Sequence, residues 1–343
     1  MADGNLELID FRYHLVSIVA VFLALAIGIV VGSQALAPAV QSGLHQVSKK
    51  EAAQIKSLYA HNSQLKAQIA ANESFAQASE GSLLHGLLTG EHVVLVLAPG
   101  ADGSTVDGVT NALRHAGASV TGQVVLTSQF FDTGTVTEQQ LTNKAASLAT
   151  GLTLPKSTVD PQISGQQAAA QVISAAITNK DGVPTLSPQH TQQIMTEFAG
   201  FLQINGPGGS SLSGQATMAV VIVPGTVPPS NTSGPDNLAL ISLANDLQET
   251  SKGAVLVGPL LGSGPRSAID AVNSGAAGVS LTTVDNADTT TGQIMVAQAL
   301  RELLKPNASP TAYGVRPATV PSPAPSASPS PSPTPSHSTR KKP

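Results

Sequence analysis

The sequence predicts an α/β protein: an N-terminal transmembrane helix and a coiled-coil-like helix, then a mostly parallel sheet flanked by helices. Three observations carry that prediction. Residues 15–36 run for 22 positions without a charge, enough helix to cross about 33 Å, the depth of a bilayer's hydrocarbon core. Apolar, largely β-branched runs recur at 92–98 (HVVLVLA), 218–223 (MAVVIV) and 254–257 (AVLV), as in strands covered on both faces. Segments of helical periodicity lie between them, the alternation expected of parallel strands joined by crossover helices.

Ala, Leu, Ile, Val and Phe dominate the first stretch, and its only polar side chains are Ser17, Ser33 and Gln34. A cleaved signal peptide is the alternative, because Arg12 supplies a positive start and Ala35-Leu36-Ala37 fits an A-x-A cleavage site. Against it, the run exceeds the roughly 7–15 residues of a signal h-region, and Pro38 would open the mature chain. A core helix of this length would ordinarily carry a charged face. The expectation is an uncleaved single-pass anchor preceded by a short cytoplasmic segment, residues 1–14. Gly28 and Gly32 form a small-xxx-small pair suited to helix packing, although glycines are also ordinary in membrane helices. Arg12 on one side nearly balances Lys49 and Lys50 on the other. The Ser/Thr/Pro-rich tail favours the bulk of the chain lying outside the cytoplasm, in the cell envelope.

Residues 40–80 read as a polar amphipathic helix. Leu44, Val47, Ile55, Leu58, Leu65 and Ile69 recur at helical spacing among Lys49, Lys50, Glu51, Lys56 and Lys66. Gln54, His61 and Gln68 interrupt a strict heptad seam. Both a parallel seam joining copies of the chain and a lone juxtamembrane helix fit this pattern.

Residues 91–305 then alternate strand and helix. The run at 92–98 ends in the turn Pro99-Gly100-Ala101-Asp102-Gly103, and Ser104 is placed to cap a helix reaching His115. Gly117 ends that helix, and 119–127 (SVTGQVVLT) returns as a strand, completing a βαβ unit. Helices are expected at 137–149, 165–179 and 188–203, and a strand at 218–223 stops at Pro224-Gly225. Leu238, Ile241, Leu243 and Leu247 mark a helix at 236–251, followed by a strand at 254–257. A short helix at 267–273, a strand near 278–284 and a helix at 291–305 close the domain.

Composition narrows the function. Net charge is −4 with 17 Lys and Arg, so no basic stripe exists to neutralise phosphates and nucleic acid is not an expected partner. Cysteine is absent, which removes disulfides, Cys-based zinc sites and a thiol nucleophile. Tryptophan is absent and aromatics are 3%, too few for the girdles of an outer-membrane barrel. No G-x-x-x-x-G-K-[ST], H-E-x-x-H or G-x-S-x-G occurs, and residues 99–103 lack G-x-G-x-x-G spacing. Gly262-Ser263-Gly264 is followed by Pro265 and reads as a turn. His85 and His92 are the nearest histidine pair, across a loop-to-strand junction, and Met195, Met218 and Met295 are isolated. No cofactor is evident, no metal-ligand set is legible, and catalytic residues are not expected. One polar loop remains as a candidate site: Thr283, Asp285 and Asn286 follow a predicted strand, at the edge where open α/β sheets bind ligands. A turn in which Asp and Asn satisfy their own backbone is the alternative.

Residues 306–343, which include PSPAPSASPSPSPTPSHSTRKKP, cannot bury enough apolar surface to offset chain entropy. They are expected to be an extended, disordered tail, suited to contact with a cell wall.

The runs FRYHLVSIVAVFLALAIGIVVGSQAL, EHVVLVLAPGADGSTVDGVTNALRHAGASV and TTVDNADTTTGQIMVAQAL resemble the actinobacterial copper transport proteins typified by mycobacterial copper transport protein B. The resemblance covers residues 11–305. It is most specific in the anchor and in Thr283-Val284-Asp285-Asn286, while the N-terminal extension and the Pro/Ser tail depart from it. It implies an envelope protein of copper efflux or homeostasis, with copper as the transported ion and an oligomeric pore as the proposed route. It brings no metal-binding or catalytic residues with it. A scaffold presenting an extracytoplasmic domain, and an α/β enzyme with an unrecognised site, are the readings from other classes.

Overall fold

A computed structural model describes residues 6–156, 164–207, 209–225, 233–260 and 267–316 of the 343-residue chain. The side chains of residues 6–12, 34–48, 233 and 235 are outside that description, and with them Leu44 and Val47. The Gly262-Ser263-Gly264 turn and the Pro/Ser-rich run from residue 317 onward also lie outside the described residues. The chain divides into two compact units, Met1–Ala71 and Asn72–Pro343.

The first unit is built from one helix. Helix α1 (Leu6–Leu84) is continuous through Pro38, although proline forfeits a backbone hydrogen bond inside a helix. Sequence reasoning places separate helices on either side of that proline, and the structure joins them. Within α1, Tyr13–Ser33 is 21 residues long with a mean hydropathy of 2.9, and none of it is buried. It has the length and composition to cross a membrane.

The second unit holds the sheet. Its strands are β1 (His92–Leu97), β2 (Ser119–Leu126), β3 (Leu202–Asn205), β4 (Met218–Ile222), β5 (Ala254–Val257), β6 (Thr282–Val284) and β7 (Ala312–Tyr313), in the order β3-β2-β1-β4-β5-β6-β7. All neighbours are parallel except β2 and β3. The α/β class with an N-terminal apolar helix and a mostly parallel, helix-flanked sheet is therefore present.

Alternation along β1 shows why its residues are nearly all apolar. Val94 and Val96 enter the core beneath α3 (Thr135–Leu148), α4 (Ser164–Ile177), α5 (Pro188–Glu197), α6 (Ser233–Thr250) and α7 (Ala268–Asn273). Val93, Leu95 and Leu97 enter the opposite core, with α2 (Gly103–His115), α8 (Thr290–Leu303) and the end residues Ala76 and Leu84 of α1. A strand with helices on both faces has no side left to be polar.

Several boundaries differ from expectation. The cap of α2 is Asp102, not Ser104: its carboxylate accepts the Thr105 N–H at 3.0 Å. The helix predicted to reach residue 203 stops at Glu197. Gly200 then takes φ +98°, a left-handed conformation open to glycine, and the chain returns as β3, antiparallel to β2. The strand predicted from residue 278 begins only at Thr282. Strand β7 lies in the stretch whose composition suggests a tail, and it pairs with β6 at Thr283↔Ala312 and Val284↔Tyr313.

Candidate functional site

The strand order reverses between β1 and β4, since β2 lies to one side of β1 and β5 lies to the far side of β4. At such a switch point the loops leaving two strands part, and a crevice opens at their C-terminal ends. Here those loops carry Pro99, Gly100 and Asp102 after β1 and Pro224 after β4, and they lie close together, since a Cβ on Gly100 would sit 3.6 Å from Pro224 Cβ. Helix α2 begins directly after the β1 loop, and a helix N-terminus in that place elsewhere receives phosphate. In this chain Asp102 occupies that seat itself. Its Oδ2 accepts the Thr105 N–H at 3.0 Å and the Ser104 hydroxyl. The Ser104 hydroxyl, and then the Thr105 N–H, hold the Asp102 carboxyl below the ordinary carboxylate range. A carboxylate already seated there opposes an incoming anion.

The polar loop singled out from sequence lies elsewhere, three places along the sheet from β1 at the end of β6. All three residues are buried. The Thr283 hydroxyl donates to Asn273 Oδ1 at 2.7 Å, tying β6 to the end of α7. Asp285 turns both carboxylate oxygens to the chain just past β7: Val315 N–H donates to Oδ1 at 2.7 Å and Arg316 N–H to Oδ2 at 3.0 Å. The Arg316 guanidinium also pairs with Asp270. Gly314, at φ +127°, lets the backbone come this close, because a Cβ there would sit 1.8 Å from Asp285 Oδ1. Asn286 accepts the Thr289 N–H on its backbone carbonyl at 3.0 Å, opening α8, and its side-chain amide is 3.5 Å from the Thr289 hydroxyl. Asn286 Oδ1 is buried with no hydrogen-bond partner among the described residues.

The structure thus brings Thr283, Asp285 and Asn286 together and engages all three in holding the chain, leaving only Asn286 Oδ1 without a partner among the described residues. Asp285 fastens a strap, residues 311–316, along the edge of β6. Sequence reasoning missed that use because the bonded partners lie about thirty residues further on. It also missed Glu73, whose carboxylate accepts the Thr290 N–H at 2.8 Å and supplies negative charge to the start of α8. Asp102 was findable, since an Asp three residues before Thr105 fits an N-cap.

A cleft of about 470 Å³ lies at the opposite edge, where the parallel strands begin, among residues 151–156, the end of α4 and Glu249 and Thr250 of α6. It contains none of the three loop residues. Gly28 and Gly32 lie in the apolar span, and a Cβ on either would meet nothing within 4 Å. Among the described residues no group of three or more His, Cys, Asp or Glu side chains gathers to hold a metal ion.

A family model described as "Copper transport outer membrane protein, MctB" matches residues 8–323, which is most of the chain. The chain belongs to the MctB family. Proteins named copper transporter MctB from Mycobacterium tuberculosis, Mycobacterium bovis and Mycobacterium leprae are each 28% identical to it over 302 residues. The match covers 87% of this chain and 93% of each relative. The family model's match, residues 8–323, takes in both the apolar span Tyr13–Ser33 and the seven strands of the sheet.

Proposed function

We propose that this MctB-family protein is a single-pass envelope protein of copper efflux or homeostasis, anchored by the span in α1 with its α/β domain outside the cytoplasm. The observation that carries this reading is Tyr13–Ser33, an apolar segment of which nothing is buried, whereas the apolar runs of β1, β4 and β5 are buried throughout apart from His92. Copper is cargo here. A charged or hydrated ion cannot cross hydrocarbon unaided, and one helix encloses no channel. Transport therefore requires several copies of the anchor, gathered from pairs of chains that join through α1. The α/β domain positions that assembly, is not an enzyme, and leaves residues 317–343 to reach the cell wall.

The test is direct. Deleting the gene raises cell copper, the intact gene restores it, and the purified full chain gives ion conductance in a planar bilayer. Unchanged copper together with no conductance would overturn transport. It would support a second reading, a scaffold that presents the α/β domain without moving ions. The engagement of Asp285 by Val315 and Arg316 favours that alternative, since it ties up the polar loop at the strand ends. Protease accessibility of the domain in sealed cells reads its sidedness separately.

A further inference from the structure

We propose that residues 55–69 of α1 pair with the same residues of a second copy as a parallel, in-register, two-stranded coiled coil whose stoichiometry is set by Asn62. The parallel orientation rests on the anchored reading above, because two chains inserted through the same span run the same way.

The helix offers a different seam from the one interrupted by Gln54, His61 and Gln68. Ile55, Leu58, Asn62, Leu65 and Ile69 follow each other at spacings of three, four, three and four residues, the a-d-a-d-a pattern of a heptad stripe. The four apolar members are 53–69% exposed. Their identities are selective. Isoleucine at a with leucine at d favours two strands over three or four, and one asparagine at an a position fixes register and oligomer state at some cost in stability. Asn62 is that asparagine. Two Asn62 amides meet at the centre of the interface only when the helices are parallel and unshifted, and any slip buries each amide against leucine or isoleucine.

The shape of the helix surface agrees. A shallow depression is lined by Ile55, Leu58, Tyr59, Asn62 and Lys66. The first four are the a, d, e and following a residues, the set that frames a hole for a d-position knob of a parallel partner. The knob is Leu58 of the second copy. A second copy is the occupant because the span delivers it: two anchored chains hold residue 55 at the same height above the membrane and raise each other's effective concentration, so a short seam suffices.

The chain contains no cysteine, so single cysteines report pairing without background. In the full-length protein in native membranes, Ile55→Cys, Leu58→Cys and Leu65→Cys should oxidise to disulfide-linked dimers. Lys56→Cys, Gln64→Cys and Ala67→Cys, on the outer face, should give less than about a tenth as much. Maximal linkage at Gln54→Cys, His61→Cys and Gln68→Cys, or no dependence on position, would overturn the proposal. Asn62→Leu, measured by native mass spectrometry in detergent, should add trimers or larger species to the dimer. A sole, unchanged dimer would overturn the role given to Asn62. Resistance to carbonate extraction is scored on the same membranes. Extraction of the chain would defeat the anchored reading, and the cysteine pattern still decides the coil by itself.

Discussion

The two units of this chain use the same aliphatic residues under opposite conditions. In Tyr13–Ser33 the Ile, Leu and Val side chains are all exposed, whereas Val93, Val94, Leu95 and Val96 in β1 are wholly buried. The difference teaches where stability resides. In the α/β unit the apolar surface is removed from water by the chain's own helices. In the helical unit the apolar surface of Tyr13–Ser33 is left uncovered by the chain itself.

The comparison can be broken by mutation. The largest effect is expected in the core: Ile173→Ala, at a wholly buried position of α4, should cost about 2–5 kcal/mol in denaturant unfolding, while Lys56→Ala, exposed on the outer face of α1, should stay within about 0.5 kcal/mol. Next comes the span. Leu23→Arg places a charge near its centre, at an insertion cost of about 2.5–3.5 kcal/mol, and should shift the protein from the membrane pellet to the soluble fraction while the domain's unfolding transition is retained.

A smaller loss should follow Asp285→Ala, which leaves the Val315 and Arg316 N–H groups without their acceptors. A cost of about 1–3 kcal/mol is expected, with hydrogen exchange accelerated at those two amides ahead of β1. Smallest is the acid response. Asp102 is held low by Ser104 and Thr105, and Asp132 by the Thr137 hydroxyl and the Gly134 N–H. A folded-state pKa below the unfolded one means that the stabilisation is present above the unfolded pKa and is lost as pH falls through the folded one. Domain stability should therefore decline below about pH 4, and the combined Asp102→Asn and Asp132→Asn variant should show a shallower decline. Asp236 has the opposite sign, because burial raises its pKa and any contribution from it fades as pH rises.

Much of the architecture was legible because it is written locally. Strands β1, β4 and β5 are dense apolar runs ended by Pro or Gly, and α6 and α8 announce themselves by period. What escaped depends on distant partners. Strand β3 (LQIN) is four residues long, only half apolar, and is a strand because β2 offers it an edge. Strand β7 is two residues in a stretch rich in Pro, Ser and Thr, and owes its place to β6 and to Asp285. The candidate loop was found by its polarity at a strand end. Its partners were not, since nothing near Asp285 names Val315 or Arg316. The switch point at β1 and β4 was hidden for the same reason: it is a property of strand order, which no local pattern records.

The borders of the sheet have a consequence for how copies of this domain meet. One border is the four-residue, antiparallel β3, and the other is the two-residue β7. Long unpaired edges invite neighbouring molecules to add strand upon strand. Stubs of this length give a neighbour almost nothing to zip onto, so crowded domains can jostle side by side without polymerising.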